Sequence, residues 1–144
     1  MTTTAARRTL CLVCTLLAGC APGPASTVKV PVQYGGIPRY LEPPVRANDA
    51  APQIVAVWFS TRTPHWGEVM RVRVTTSTNA AIVEMHRFGY GRALHKRTYG
   101  IFSAVDHVPL LPPFLHPSYT MEVRLTARNS AGKSTSTLAT LLVR

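Results

Sequence analysis

From residue 52 to the end of the chain, apolar and polar side chains alternate in short runs separated by turn-forming residues. Val69-Met70-Arg71-Val72-Arg73-Val74-Thr75 places Met70, Val72 and Val74 on one side of an extended chain and Arg71 and Arg73 on the other, because successive strand side chains point to opposite faces. Tyr119 to Ala127 has the clearest period of two, with Val123 and Leu125 expected to face inward and Arg124 outward. Ile54 to Phe59 is apolar and β-branched, and Ala81 to His86 alternates again. Ile101 to Leu111 predicts a further strand closed by Pro112-Pro113, and Thr135 to Val143 predicts the last one. Turn signals stand between these runs at Pro64 to Gly67, Thr76 to Asn79, Gly89 with Gly91, and Asn129 to Gly132. No helical period appears. Short strands with turn signals every 8–12 residues predict an all-β antiparallel sandwich or barrel. Residues 52–144 suffice for one modest core, burying about 60–65% of the unfolded surface.

The chain before residue 52 carries a different pattern. Arg7-Arg8 precedes an eight-residue apolar run, Leu10 to Leu17, which ends in Ala18-Gly19. A charged start, a short apolar stretch and a small-residue cleavage site describe a secretory signal peptide. The run is far shorter than the ~20 residues that span a bilayer. Residues 21–51 hold Pro22, Pro24, Pro31, Pro38, Pro43 and Pro44 with Gly23, Gly35 and Gly36, and keep no helical period. They read as a tether, about 30 Å across if flexible and about 95 Å if fully extended. Part of the segment is alternatively an extra edge strand on the domain.

Cysteine usage narrows the chemistry. Cys11, Cys14 and Cys20 are the three cysteines. Cleavage before Cys20 leaves one, so the exported domain has no disulfide to form and relies on its core. The charge is strongly positive: 16 Lys+Arg against 6 Asp+Glu, net +10. Removing Arg7 and Arg8 leaves 14 against 6, net +8. Such a surplus favours anionic partners: lipid head groups, lipopolysaccharide, acidic glycans or nucleic acid, of which nucleic acid is the least expected.

Candidate chemistry is sparse. His65, His86, His95, His107 and His116 show no metal-ligand spacing, so no metal or other cofactor is expected. Asp106 and His107 are adjacent, which on a strand sends their side chains to opposite faces. The glutamates form no paired-carboxylate pattern, and no Gly-rich phosphate loop opens a helix. These features predict a non-catalytic protein. The most informative surface stretch is 86–99, where Arg87, Arg92, Lys96 and Arg97 are interleaved with Phe88, Tyr90 and Tyr99 and no acid intervenes. Cations pair with phosphate or carboxylate while rings stack, so these seven residues are the candidate ligand-binding set. Gly89 and Gly91 suggest a bend that would carry them on a loop or hairpin tip. Val108 to Leu115 is an apolar run that either docks a partner or closes the bottom of the core.

Two resemblances sharpen these expectations. Leu17-Ala18-Gly19-Cys20 resembles the lipobox of bacterial lipoproteins. That resemblance implies diacylglyceryl transfer to the Cys20 thiol, cleavage before Cys20, and a lipid anchor in the cell membrane. Ala21, rather than Asp, follows the cysteine; by the same resemblance this favours the outer membrane in a Gram-negative host. Ala127-Arg128-Asn129-Ser130-Ala131-Gly132-Lys133-Ser134 resembles the F–G hairpin of bacterial immunoglobulin-like and fibronectin-III-like domains. Leu110-Leu111-Pro112-Pro113 resembles their E–F crossing, and Trp66-Gly67-Glu68 the approach to their strand B. The expected organisation is a lipoprotein signal peptide over 1–19, a lipidated Cys20 with a Pro-rich tether over 20–51, and an immunoglobulin-like β-sandwich over 52–144. The expected role is binding or scaffolding at the cell envelope, with an anionic envelope polymer or another envelope protein as partner.

Overall fold

The computed structural model describes residues 26–115 and 117–144. Its strands are β1 (Ser26–Thr27), β2 (Val32–Tyr34), β3 (Ile54–Phe59), β4 (Val69–Thr76), β5 (Ala80–Arg87), β6 (Tyr90–Ala93), β7 (His95–Thr98), β8 (Ile101–His107), β9 (Tyr119–Asn129) and β10 (Ser134–Val143). A single 3₁₀ turn, Pro113–Leu115, breaks the crossing between β8 and β9. The protein is all-β: two sheets ordered β1-β10-β9-β5-β6 and β2-β3-β4-β8-β7. All pairings are antiparallel except the two N-terminal ones, β1 with β10 and β2 with β3, which are parallel.

The alternation determines which face each strand buries. Val83, Met85, Met121, Val123, Leu125 and Leu141 come from the first sheet, and Val57, Phe59, Met70, Val72, Val74 and Phe102 from the second; all sit in one core. Their neighbours Arg71 and Arg124 are exposed, as a period of two requires. The strand expected over 101–111 stops at His107. The Val108 N–H still donates to the Glu68 carbonyl and the Pro109 carbonyl accepts from the Gly67 N–H, but Pro109, Pro112 and Pro113 have no N–H to carry the ladder further. Val108 of that apolar run is buried, while Leu110 and Phe114 stand in solvent.

Residues 26–51, read from the sequence as tether or edge strand, form two edge strands and wrap the sandwich. Val30, Val32 and Tyr34 pack on the core. Tyr34 stacks on Phe59 with centroids 6.1 Å apart, and its hydroxyl donates to the Thr140 carbonyl at 2.8 Å. The turn at 47–50 is held by two amides. Asn79 Nδ2 donates to the carbonyls of Ala47 and Ala50, both at 2.8 Å, and Asn129 Nδ2 donates to those of Asn48 (3.0 Å) and Ala50 (2.7 Å). Gly100 permits the close approach of this segment. Its φ is +72°, and a Cβ there would meet Pro43 Cβ at 2.5 Å and the Thr76 carbonyl oxygen at 2.6 Å.

Candidate functional site

The basic stretch 86–99 is not a loop. It contains the end of β5, a turn, and the two edge strands β6 and β7. Phe88 (φ +48°) and Gly89 (φ +72°) make the turn. The chain then changes sheets at Leu94, whose side chain is buried and whose N–H donates to the Val83 carbonyl at 2.8 Å. The seven candidate residues are thereby dispersed. Arg87 follows Val83 and Met85 on the inner face and is buried, its charge committed to Asp106. Its Nε donates to Asp106 Oδ2 at 2.7 Å and its Nη2 to the His107 carbonyl at 2.5 Å. Arg92 donates to the Val105 carbonyl at 2.7 Å and lies 3.7 Å from Asp106 Oδ1. Lys96 donates to the Ala80 carbonyl at 3.3 Å and sits over the rings of Tyr99 and Phe102. Arg97 turns the other way and donates to Ser103 Oγ at 2.7 Å. Phe88 packs against Tyr119, centroids 5.2 Å apart, while Tyr90 and Tyr99 remain exposed.

What gathers cations instead is the outer face of the second sheet. Register aligns Trp58 with Arg73, Arg73 with Ser103, and Ser103 with His95 in one row across β3, β4, β8 and β7. Arg71 lies beside Val105 in a neighbouring row, and Arg97 joins the face through Ser103. The only acidic residue on these four strands is Asp106, which points into the core with Arg87. Among the described residues, the guanidinium groups of Arg71 and Arg73 have no hydrogen-bond or ion-pair partner.

The segment after β2 adds a wall to this face. Trp58 Nε1 donates to the Gly35 carbonyl at 3.0 Å. Gln33 pins the same loop twice, donating from Nε2 to the Ile37 carbonyl at 3.0 Å and accepting from the Arg39 N–H at 3.3 Å. Between loop and sheet lies a cleft of about 380 Å³ whose lining includes Pro38, Arg39, Leu41, Ala56, Trp58 and Arg73. Arg39 and Leu41 belong to the Pro-rich segment that the sequence presents as a tether, so no local pattern marks them. The signal that was present is Val32-Gln33-Tyr34, a short alternation just ahead of Gly35-Gly36.

The opposite face is different in kind. The first sheet has a broader hollow of about 520 Å³ lined by Glu84, His86, Glu122, Arg124 and Arg128 among others. It carries charges of both signs: Glu84 and Glu122 stand with Arg124 and Arg128, and Glu84 Oε2 lies 3.8 Å from Arg128 Nη2. Size alone would favour this hollow, but unpaired charge of one sign favours the smaller cleft on the second sheet. Asp106 and His107 point to opposite sides of β8, one buried and one exposed. Among the described residues no three His, Cys, Asp or Glu side chains gather as metal ligands. Cys20 and His116 lie outside the described residues. No protein-family model matches the chain, and no curated protein or solved structure matches it.

Proposed function

We propose that the chain is an exported lipoprotein, anchored through lipid on Cys20, whose immunoglobulin-like sandwich is a non-catalytic binding module for an anionic envelope polymer. The observation that carries the binding role is the outer face of the second sheet. Arg71, Arg73 and Arg97 share it, and no carboxylate on its strands neutralises them. Guanidinium groups with no carboxylate partner suit carboxylate and phosphate, which they grip with two parallel hydrogen bonds. The binding surface is thus moved from the 86–99 stretch to this face, which takes from that stretch only Arg97 and His95.

Strand connectivity supports the immunoglobulin-like identity. β3-β4-β8-β7 reproduces the A-B-E-D order of a constant-type sandwich, and β5-β9-β10 supplies its C, F and G strands. The lipid anchor rests on Leu17-Ala18-Gly19-Cys20 behind a charged, short apolar leader. It has a geometric consequence. Five residues lie between Cys20 and Ser26, and the six Cα–Cα steps reach at most about 20 Å. Ser26 pairs with Thr135 at the start of β10, whereas β10 itself runs about 34 Å to its far end. The lipid therefore holds the Asn129–Ser134 end close to the membrane and leaves Leu110 and Phe114 at the distal end.

The test is titration of the detergent-solubilised full-length protein with a polyuronate, with lipopolysaccharide and with a neutral polysaccharide at two salt concentrations. Binding to an acidic polymer is expected, weakened by salt because exposed charges are screened over about 8 Å at physiological ionic strength. The pair Arg71→Ala and Arg97→Ala should weaken it, and Arg124→Ala on the other sheet should not. Equal loss from Arg124→Ala, or no binding to either acidic polymer, overturns the reading.

A further inference from the structure

We infer that the cleft between the second sheet and the loop after β2 is a subsite for one carboxylate-bearing sugar ring of an acidic glycan. The inference rests on the cationic-face reading and adds to it a defined pocket, a ligand class and an orientation. Four observations converge on it. Arg39 and Arg73 both line the cleft, one from the loop and one from β4. Neither guanidinium has a hydrogen-bond or ion-pair partner among the described residues, and only the backbone N–H of Arg39 is engaged. Two cations from opposite walls of one cleft, with no carboxylate lining it, leave a place for an anion.

Apart from Gln33 and Thr75, the rest of the lining is apolar or aromatic and includes Pro38, Leu41, Ala56 and Trp58. A bare anion such as phosphate has no use for that surface, whereas a sugar ring does, since its C–H faces pack on an aromatic side chain. Trp58 has its Nε1 occupied by the Gly35 carbonyl, so its remaining contribution is ring surface rather than a hydrogen bond. The cleft volume of about 380 Å³ lies within the usual range for a small ligand.

Pre-organisation is the last observation. A loop that had to be ordered on binding would lose affinity to conformational entropy. Here Gln33 holds both Ile37 and Arg39, Trp58 holds Gly35, and the Gly35 N–H donates to the Phe59 carbonyl at 2.9 Å. The wall that carries Arg39 is fixed before any ligand arrives. β2, which launches it, is itself paired to β3 from Val32 to Tyr34.

The chain contains two tryptophans, and Trp66 is committed elsewhere, donating from Nε1 to the Pro117 carbonyl at 3.1 Å. A Trp66→Phe protein therefore reports on Trp58 alone. The experiment titrates this full-length protein in detergent with a glucuronate disaccharide, with the neutral disaccharide of the same linkage and with inorganic phosphate, following Trp58 fluorescence. The acidic disaccharide should change the fluorescence saturably, and the neutral sugar and phosphate should each bind about tenfold more weakly or not at all. Arg73→Ala and Arg39→Ala should each weaken the acidic disaccharide about tenfold, while circular dichroism stays unchanged. Lys133→Ala, at the far hairpin, serves as the charge-removal control. Equal binding of the neutral sugar, phosphate binding as tight as the disaccharide, or no effect of Arg73→Ala overturns the subsite. If polyuronate still binds through Arg71 and Arg97 while Trp58 stays silent, the subsite fails and the cationic face stands. If polyuronate does not bind at all, both fail together.

Discussion

Arg87 and Asp106 meet between the two sheets, Nε to Oδ2 at 2.7 Å, with side chains only 6% and 7% exposed. Arg87 ends β5 of the first sheet and Asp106 lies in β8 of the second, so the pair links the layers where apolar packing gives way to the edge. The second guanidinium nitrogen is satisfied by the His107 carbonyl, and Arg92 approaches the other carboxylate oxygen. Burying one of these charges without its partner is costly, whereas replacing both by apolar groups is often neutral or better. Asp106→Ala should therefore destabilise the protein by about 3–5 kcal/mol. The double variant Arg87→Met with Asp106→Leu should recover most of that loss. Chemical denaturation of the three proteins decides it; a double variant no better than Asp106→Ala would show that the pair contributes more than mutual neutralisation.

Strand register makes a second prediction. Leu125 is fully buried and Arg124 beside it is exposed. Leu125→Ala should cost about 2–5 kcal/mol through lost transfer energy and the cavity left behind. Arg124→Ala should stay within about 0.5 kcal/mol. Thermal melts compare the two, and equal effects would contradict the register of β9.

Asn129 joins the N-terminal segment to the β9–β10 hairpin. Its Nδ2 donates to the carbonyls of Asn48 and Ala50, and its Oδ1 accepts from the Lys133 N–H at 2.8 Å. Asn129→Ala leaves those groups without their partner and should cost about 1–3 kcal/mol. Hydrogen exchange should rise first in residues 47–51 and 130–133. Faster exchange confined to the distal end, around 108–115, would contradict the clamp.

Thr137 is almost wholly buried in β10, and its Oγ1 has no hydrogen-bond partner. A buried hydroxyl without a partner is destabilising, and Val has nearly the same shape. Thr137→Val should raise stability by about 1 kcal/mol, or the melting temperature by about 4 °C. A lower melting temperature would mean that the hydroxyl is satisfied in solution.

The proposed anchor is checked by fractionation and by labelling. Cys20→Ser should leave an uncleaved precursor or release the protein from membranes, because several acyl chains, at about 0.8 kcal/mol per buried CH₂, hold far more firmly than one. In lipid vesicles a fluorophore on Lys133→Cys should be quenched by a membrane-phase quencher more than one on Phe114→Cys. The reverse order would contradict the short leash from Cys20 to β1.

The sequence by itself determined the inner and outer faces of β4 and β9, the existence of the closing strand β10, and the turn at Asn129 to Gly132. Period-two alternation is a property of consecutive residues, so it can be read without knowing what the strand packs against. Asp106 and His107 pointing apart follows from the same rule. The edge strands were not legible in this way: β7 is His95-Lys96-Arg97-Thr98, exposed throughout, and β2 is three residues among prolines and glycines. Their pairing depends on partners elsewhere in the chain, as when Tyr34 reaches Thr140, 106 residues on. Arg87 shows the limit most clearly. Its place after Val83 and Met85 put it on the inner face, but only the tertiary structure supplied Asp106, 19 residues away on the other sheet, to make that burial tolerable. The cleft has the same origin. Arg39 and Arg73 face each other across one cleft because β2 pairs with β3, and proximity between distant segments leaves no periodic trace in the chain.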